Sequence, residues 1–222
     1  MLIILNHKSN LTYEEIKKYE KTIRNMEVIV LPSLCYMALF KKGKYILGSQ
    51  DISEFIDTSR TGEVNGEQLK SIKVKYCLIG HSERKIYNKE TEETTLIKLN
   101  NCVENNITPL YCIGEQNDNE IINKEIDLIL NKYNNKEILF IYEPIENIGK
   151  VNPDLEKVEE NINYIRNYIK NKYNKDIKLI YGGGVNINNI DKVKKIKNID
   201  GIILSKDSLN LEHLKLIYKK CK

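Results

Sequence analysis

The sequence predicts an α/β protein, a compact single-domain (β/α)8 barrel over residues 1–222. Two observations lead to that class. Short aliphatic and β-branched runs alternate along the whole chain with longer, charged, amphipathic stretches, and eight such pairs can be counted. Polar, chemistry-bearing residues also stand directly after several of the runs, at positions that a closed parallel barrel gathers on one rim. Eight units in 222 residues leave roughly 28 residues each, close to the lower bound of about 200 for such a barrel.

The strands are predicted at Leu2–Leu5, Val28–Leu31, Tyr45–Gly48, Tyr76–Ile79, Thr108–Cys112, Ile138–Tyr142, Lys178–Tyr181 and Gly201–Leu204. Their continuous apolar character suits strands buried on both faces. After the first strand, Leu11-Thr12-Tyr13-Glu14-Glu15 starts a helix, with Thr12 as N-cap and acidic residues in the first turn. After the sixth, Asn152-Pro153-Asp154 starts another with proline near its beginning. Ile162, Ile165, Ile169 and Tyr173 then recur every three to four positions, so one face of that helix packs on the barrel and the Lys/Asn face meets water. A doubly wound open sheet has the same element order, but no G-x-G-x-x-G follows the first strand.

Composition narrows the function classes. Lys+Arg number 35 against 31 Asp+Glu, a net +4, and no apolar stretch approaches the ~18 residues of a spanning helix. No membrane or nucleic-acid partner is expected. The Lys-rich runs at Lys192–Lys197 and Lys219–Lys222 read as solvated helix faces, with no recognition helix or aromatic stacking platform beside them. The opening residues form a strand, not a secretory signal. Cys35, Cys77, Cys102, Cys112 and Cys221 are odd in number, widely spaced and without a C-x-x-C pair. They indicate neither a zinc site nor a disulfide framework, and a reducing, cytoplasmic setting fits them.

Candidate site residues follow the strands. Asn6 and Lys8 stand after the first, Gly80-His81-Ser82-Glu83-Arg84 after the fourth, and Glu143-Pro144 after the sixth. Gly182-Gly183-Gly184 follows the seventh and Ser205-Lys206 the eighth. A lysine, a histidine and a glutamate at three strand ends make a cation, electrophile and base suited to moving a proton beside a carbonyl. Singly, Lys8 reads equally as a surface charge and Glu143 as a helix cap. The glycine run offers backbone N–H groups to a phosphate, or simply makes a tight turn.

Taken together these segments resemble the triosephosphate isomerase family, in the same order and across essentially the whole chain. Asn6-His7-Lys8 is similar to the family's Asn-Trp-Lys, Gly48-Ser49-Gln50-Asp51 to its Gly-Ala-Gln-Asn, and Gly62-Glu63-Val64-Asn65-Gly66-Glu67 to its Gly-Ala-Phe-Thr-Gly-Glu. Ile79-Gly80-His81-Ser82-Glu83-Arg84 and Tyr142-Glu143-Pro144 are nearly unchanged. Cys112-Ile113-Gly114-Glu115 and Tyr181-Gly182-Gly183-Gly184-Val185 match at strands five and seven.

The resemblance implies a TIM barrel that interconverts dihydroxyacetone phosphate and glyceraldehyde 3-phosphate through an enediolate, with neither metal nor organic cofactor. Glu143 is then the base and His81 a neutral electrophile, Lys8 balances the substrate's charge, and Asn6 polarises its oxygens. Gly149, Gly183, Gly184, Ser205 and Lys206 fall at the phosphate-binding positions. Ser82, Glu83, Cys112 and Glu115 support them, with Glu83 near Lys8 and a dimer interface. The family also implies a homodimer or a compact tetramer, with Glu63-Val64-Asn65-Gly66 reaching into a partner's site.

Three departures from the family pattern concern the phosphate end. The segment Pro144–Lys150 occupies the place of a flexible lid but is two residues short and lacks its aromatic hinge. Gly184 replaces a serine, and Ser205-Lys206 replaces a pair of glycines, bringing side chains that crowd a dianion or a lysine that compensates it. Losing two or three charge-assisted hydrogen bonds, at ~1.5–3 kcal/mol each, weakens binding or turnover by powers of ten. The expectation is a working isomerase impaired at its phosphate grip. Two alternatives are a weak paralogue that binds a phosphorylated metabolite as a regulatory or structural barrel, and an isomerase of another small phosphorylated sugar.

Overall fold

A computed structural model describes residues 1–57 and 59–222. Its strands are β1 (Leu2–Asn6), β2 (Ile29–Leu31), β3 (Ile46–Ser49), β4 (Tyr76–Ile79), β5 (Thr108–Ile113), β6 (Leu139–Tyr142), β7 (Lys178–Tyr181) and β8 (Gly201–Leu204). They close into a parallel barrel in chain order. The seam joins β1 to β8, from Leu2 opposite Gly201 to Leu5 opposite Leu204. All eight predicted strands are present, with ends displaced by at most one residue.

Side chains alternate across the sheet as strand geometry requires. Ile4, Leu31, Leu78, Leu110, Ile141 and Ile180 point inward and form a cluster that fills the barrel. Their neighbours Ile3, Leu5, Val30, Ile79, Phe140 and Leu179 join a second cluster, under the helices. Both faces are dry, which is why the strands read as unbroken apolar runs.

The helices are α1 (Tyr13–Ile23), α2 (Gly66–Ser71), α3 (Ser82–Asn88), α4 (Glu92–Glu104), α5 (Asn119–Tyr133), α6 (Leu155–Tyr173), α7 (Ile190–Val193), α8 (Lys206–Leu209) and α9 (Leu211–Cys221). Thr12 caps α1, and its backbone N–H donates to the Glu15 carboxylate at 2.7 Å. Ile16, Tyr19 and Ile23 supply the buried stripe of that helix. Helix α6 buries Val158, Ile162, Ile165 and Ile169, whereas Tyr173 is half-buried and donates its hydroxyl to Asp127 on α5 at 2.6 Å.

Two expectations need correction. Pro153 lies outside α6, because Asp154 is the N-cap and accepts the N–H groups of Glu156 and Lys157, each at 3.2 Å. The second unit carries no α-helix: β2 is followed by a 3₁₀ helix over Leu34–Leu39. Only Met37 of that segment is buried, so it has too narrow an apolar face to support a longer helix against the sheet.

Candidate active site

The C-terminal rim begins at Asn6, the buried last residue of β1, whose Oδ1 accepts the Lys8 N–H at 3.1 Å. Lys8 has φ +51, a left-handed conformation that costs a lysine on the order of 1–2 kcal/mol. Its carbonyl is pinned there by the Ser33 hydroxyl at 2.8 Å and the Gln50 amide at 2.9 Å. The bend turns the Lys8 ammonium onto the Glu83 carboxylate in α3, the pairing expected from the sequence.

His81 is the N-cap of α3, and its Nδ1 accepts the Glu83 N–H at 3.1 Å. A ring nitrogen that accepts a backbone N–H carries no proton, so the neutral ring places its hydrogen on Nε2. That Nε2 lies 3.5 Å from Oε2 of Glu143, at the end of β6. Both atoms are buried, and neither has a hydrogen-bond partner among the described residues. Glu143 lies over Gly182, where a Cβ would sit 3.0 Å from the carboxyl carbon. Glycine there leaves room for the carboxylate.

A framework of charges anchors α3. Lys85 pairs with Glu115 at 3.2 Å and with Glu125 at 2.9 Å, and Glu125 also accepts the Gly114 N–H at 2.7 Å. Arg84 reaches Asp51 and Glu90 at 2.7 Å each, and Lys98 bonds the same two acids at 2.7 and 2.5 Å. Burial pushes the Asp51 carboxyl above its ordinary range, although Lys98 and Arg84 pull the other way. Ser82 is buried at the first position of α3. Cys112 faces the barrel interior, where burial and then the charge of Glu143 push its thiol up.

Beyond Glu143 opens a cavity of about 660 Å³ lined by Lys8, Gly149, Gly183, Gly184, Ser205 and Lys206. The backbone N–H groups of Gly149, Gly183, Gly184, Ser205 and Lys206 enter no hydrogen bond among the described residues. Five unused donors around one hollow suit an anion. Lys206 is exposed and makes no ion pair among the described residues. Asp207 is turned away from it, accepting the Ile187 N–H at 2.6 Å and lying 3.4 Å from His213.

The shortened segment after Glu143 makes a 3₁₀ turn over Ile145–Asn147 and lies on the glycine run. A Cβ at Gly184 would meet the Lys150 carbonyl oxygen at 2.5 Å and that of Asn147 at 2.8 Å, and φ there is +70. The missing serine and the missing lid residues are therefore one change, since the shorter segment occupies the space of the side chain. Gly184→Ser is expected to unseat residues 147–150 and to lower stability by at least about 1–2 kcal/mol, from the backbone alone. Denaturant titration reads this, and an unchanged midpoint refutes the coupling.

Every candidate residue predicted from the sequence lies on this rim or directly behind it. Ser33, Gln50, Asn147, Asn186, Asn189 and His213 also belong to the site, although sequence reasoning assigned none of them a role. Gln50 and Asn147 had a signal, standing in the Gly48–Asp51 motif and in the lid segment Pro144–Lys150.

Comparison with known proteins agrees with this geometry. The chain matches the Triosephosphate isomerase family over residues 1–221. It is 35% identical over 210 residues to the triosephosphate isomerase of Buchnera aphidicola subsp. Cinara cedri, covering 86% of this chain and 83% of that one. Identity is 33% over 224 residues to the enzyme of Mycoplasmopsis agalactiae, with coverage of 91% and 85%. It is 34% over 212 residues to that of Wigglesworthia glossinidia brevipalpis, with coverage of 86% and 82%. With its eight-stranded parallel barrel closed in order and its rim so furnished, the chain belongs to the triosephosphate isomerase family.

Proposed function

We propose that this chain interconverts dihydroxyacetone phosphate and glyceraldehyde 3-phosphate by moving one proton between adjacent carbons. The observation that carries the reading is the facing pair of unpartnered buried atoms, His81 Nε2 and Glu143 Oε2, at 3.5 Å beside a hollow lined by unused backbone N–H groups. Glu143 takes the proton from the carbon next to the carbonyl, and the electron pair moves into the enediolate. The same carboxyl returns the proton to the neighbouring carbon, while the hydroxyl proton on that carbon's oxygen passes by way of His81 Nε2 to the former carbonyl oxygen, so atoms and charge balance without a further reactant. The Nε2–H of His81 donates to the oxygen that gains charge, and its orientation is fixed before reaction by the Glu83 N–H. Lys8 offsets the negative charge, and Asn6 holds the turn that aims it.

The phosphate is held by the backbone N–H groups of Gly149, Gly183, Gly184, Ser205 and Lys206, with the Lys206 ammonium adding a charge that glycine cannot supply. Lys206→Ala is expected to raise KM about tenfold, a loss of ~1.4 kcal/mol, with kcat little changed. An unchanged KM in steady-state assays assigns the grip to the backbone alone. The reading as a whole is tested by isomerisation of glyceraldehyde 3-phosphate, run beside His81→Asn to expose any contaminating host isomerase. Wild-type turnover no higher than that of the variant overturns it.

The protein acts as a homodimer in this reading, through the loop between β3 and α2. That loop carries Phe55, Ile56, which is 78% exposed, and Glu63–Asn65, and leads into α2 at Gly66. Asn65 already has an internal partner, since it caps α2 by accepting the Gln68 N–H at 3.0 Å. Sedimentation of the purified chain tests the subunit number. All five cysteines are free thiols, which suits a reducing cytoplasm. Among the described residues, no helix is long and apolar enough to cross a membrane.

A further inference from the structure

The segment 144–151 is held at its far end by a pair of side chains that the chemistry does not use. The amide nitrogen of Asn186 donates to the Val151 carbonyl at 3.0 Å and to the Gly184 carbonyl at 2.8 Å. The amide nitrogen of Asn189 donates to the same two carbonyls, at 3.3 and 2.8 Å. Each nitrogen has two hydrogens, and both are spent on tying Val151, directly after the lid segment 144–150, to Gly184 of the phosphate-binding turn. Asn189 braces Asn186, because its Oδ1 accepts the Asn186 N–H at 2.9 Å, and Oδ1 of Asn186 in turn accepts the Asn188 N–H at 2.9 Å. Asn189 is buried, whereas Val151 is 60% exposed. A rigid cap thus grips an otherwise loosely packed strap.

At the near end, Asn147 is buried and donates to the Tyr181 hydroxyl at 3.4 Å, and Tyr181 donates in turn to the Gly183 carbonyl at 2.7 Å. The lid is therefore tethered to the glycine run at both ends, with Gly149 between them at φ +77 and its N–H free. Four side-chain bonds make the far tether.

We propose that Asn186 and Asn189 are positioning residues that latch the shortened lid onto the phosphate-binding turn, holding the Gly149 N–H over the substrate's phosphate. This rests on reading the site as an isomerase. The consequence is chemical as well as structural. An enediolate whose phosphate is free to swing can use its electron pair to break the carbon–oxygen bond to phosphate, releasing inorganic phosphate instead of product.

The test uses the full chain with the double variant Asn186→Asp/Asn189→Asp and the single variant Asn186→Ser. Aspartate keeps both Oδ1 acceptors of the turn and loses all four donated bonds. Serine at the half-exposed position 186 keeps an acceptor, folds without a buried charge and loses two bonds. Hydrogen–deuterium exchange across residues 145–151 is expected to accelerate at least tenfold in the double variant and several-fold in the single one. In assays on glyceraldehyde 3-phosphate, KM rises about tenfold while kcat changes less, and phosphate released per isomerisation rises at least tenfold. Exchange unchanged from wild type overturns the latch, whether or not the wild type turns over. Faster exchange with an unchanged phosphate-to-product ratio overturns the positioning role and leaves the isomerase reading intact. Wild-type turnover alone decides that reading.

Discussion

Glu143→Gln is expected to lower kcat by about 10²–10⁴-fold with KM nearly unchanged, while making the protein more stable. The amide has the shape of the carboxylate, so the lid and the phosphate end are undisturbed. It cannot take a proton from carbon, and no other carboxylate replaces it. Glu83 is engaged with Lys8, and Glu115 is turned to Lys85. The stability gain follows from the same geometry. A carboxylate oxygen that is buried without a partner costs folding free energy, and a neutral amide lowers that cost. Steady-state kinetics and denaturant titration on one preparation check both halves. A variant that lost stability along with turnover would assign Glu143 a structural role.

The barrel was legible because its physics is repetitive. Strands dry on both faces leave unbroken aliphatic runs, and a closed ring with no edge strand allows no ambiguity about which runs count, so the predicted ends differ from β1–β8 by one residue at most. The rim residues were legible because chemistry needs rare types in fixed places, as with His81, one of three histidines. What escaped detection acts through ordinary residues on distant backbone. Asn186 and Asn189 serve by donating to carbonyls of Gly184 and Val151, and in a chain this rich in asparagine nothing marks two of them. Gln50 and Ser33 likewise act on a single carbonyl, that of Lys8. The interplay of Gly184 with the short lid was visible as two separate departures, and only the distance from a would-be Cβ to the Lys150 oxygen joins them.

His7 shows the same limit with a larger expected effect. In the sequence it is merely the residue between Asn6 and Lys8, where the family pattern has tryptophan. In the fold it is fully buried, it meets Tyr19 edge-on with ring centroids 4.4 Å apart, and neither of its nitrogens has a partner among the described residues. Burial lowers its pKa from 6.5 to about 3. In the unfolded chain the ring takes up a proton below the ordinary value of 6.5, and in the folded chain it does so only near 3. The ring therefore adds no pH-dependent cost above pH 6.5, and stability is lost as pH falls from there towards 3, at about 1.4 kcal/mol per pH unit. By pH 4 the loss amounts to roughly 3 kcal/mol, a large share of what a domain of this size has to spare. His7→Phe keeps an aromatic ring against Tyr19 and removes the titration, so the wild type and the variant should diverge below pH 6.5 and run parallel above it. Denaturant midpoints from pH 8 to 4 give the comparison directly, and the shared carboxylates cancel in the difference. Parallel curves throughout would mean that His7 finds a partner or becomes charged in place.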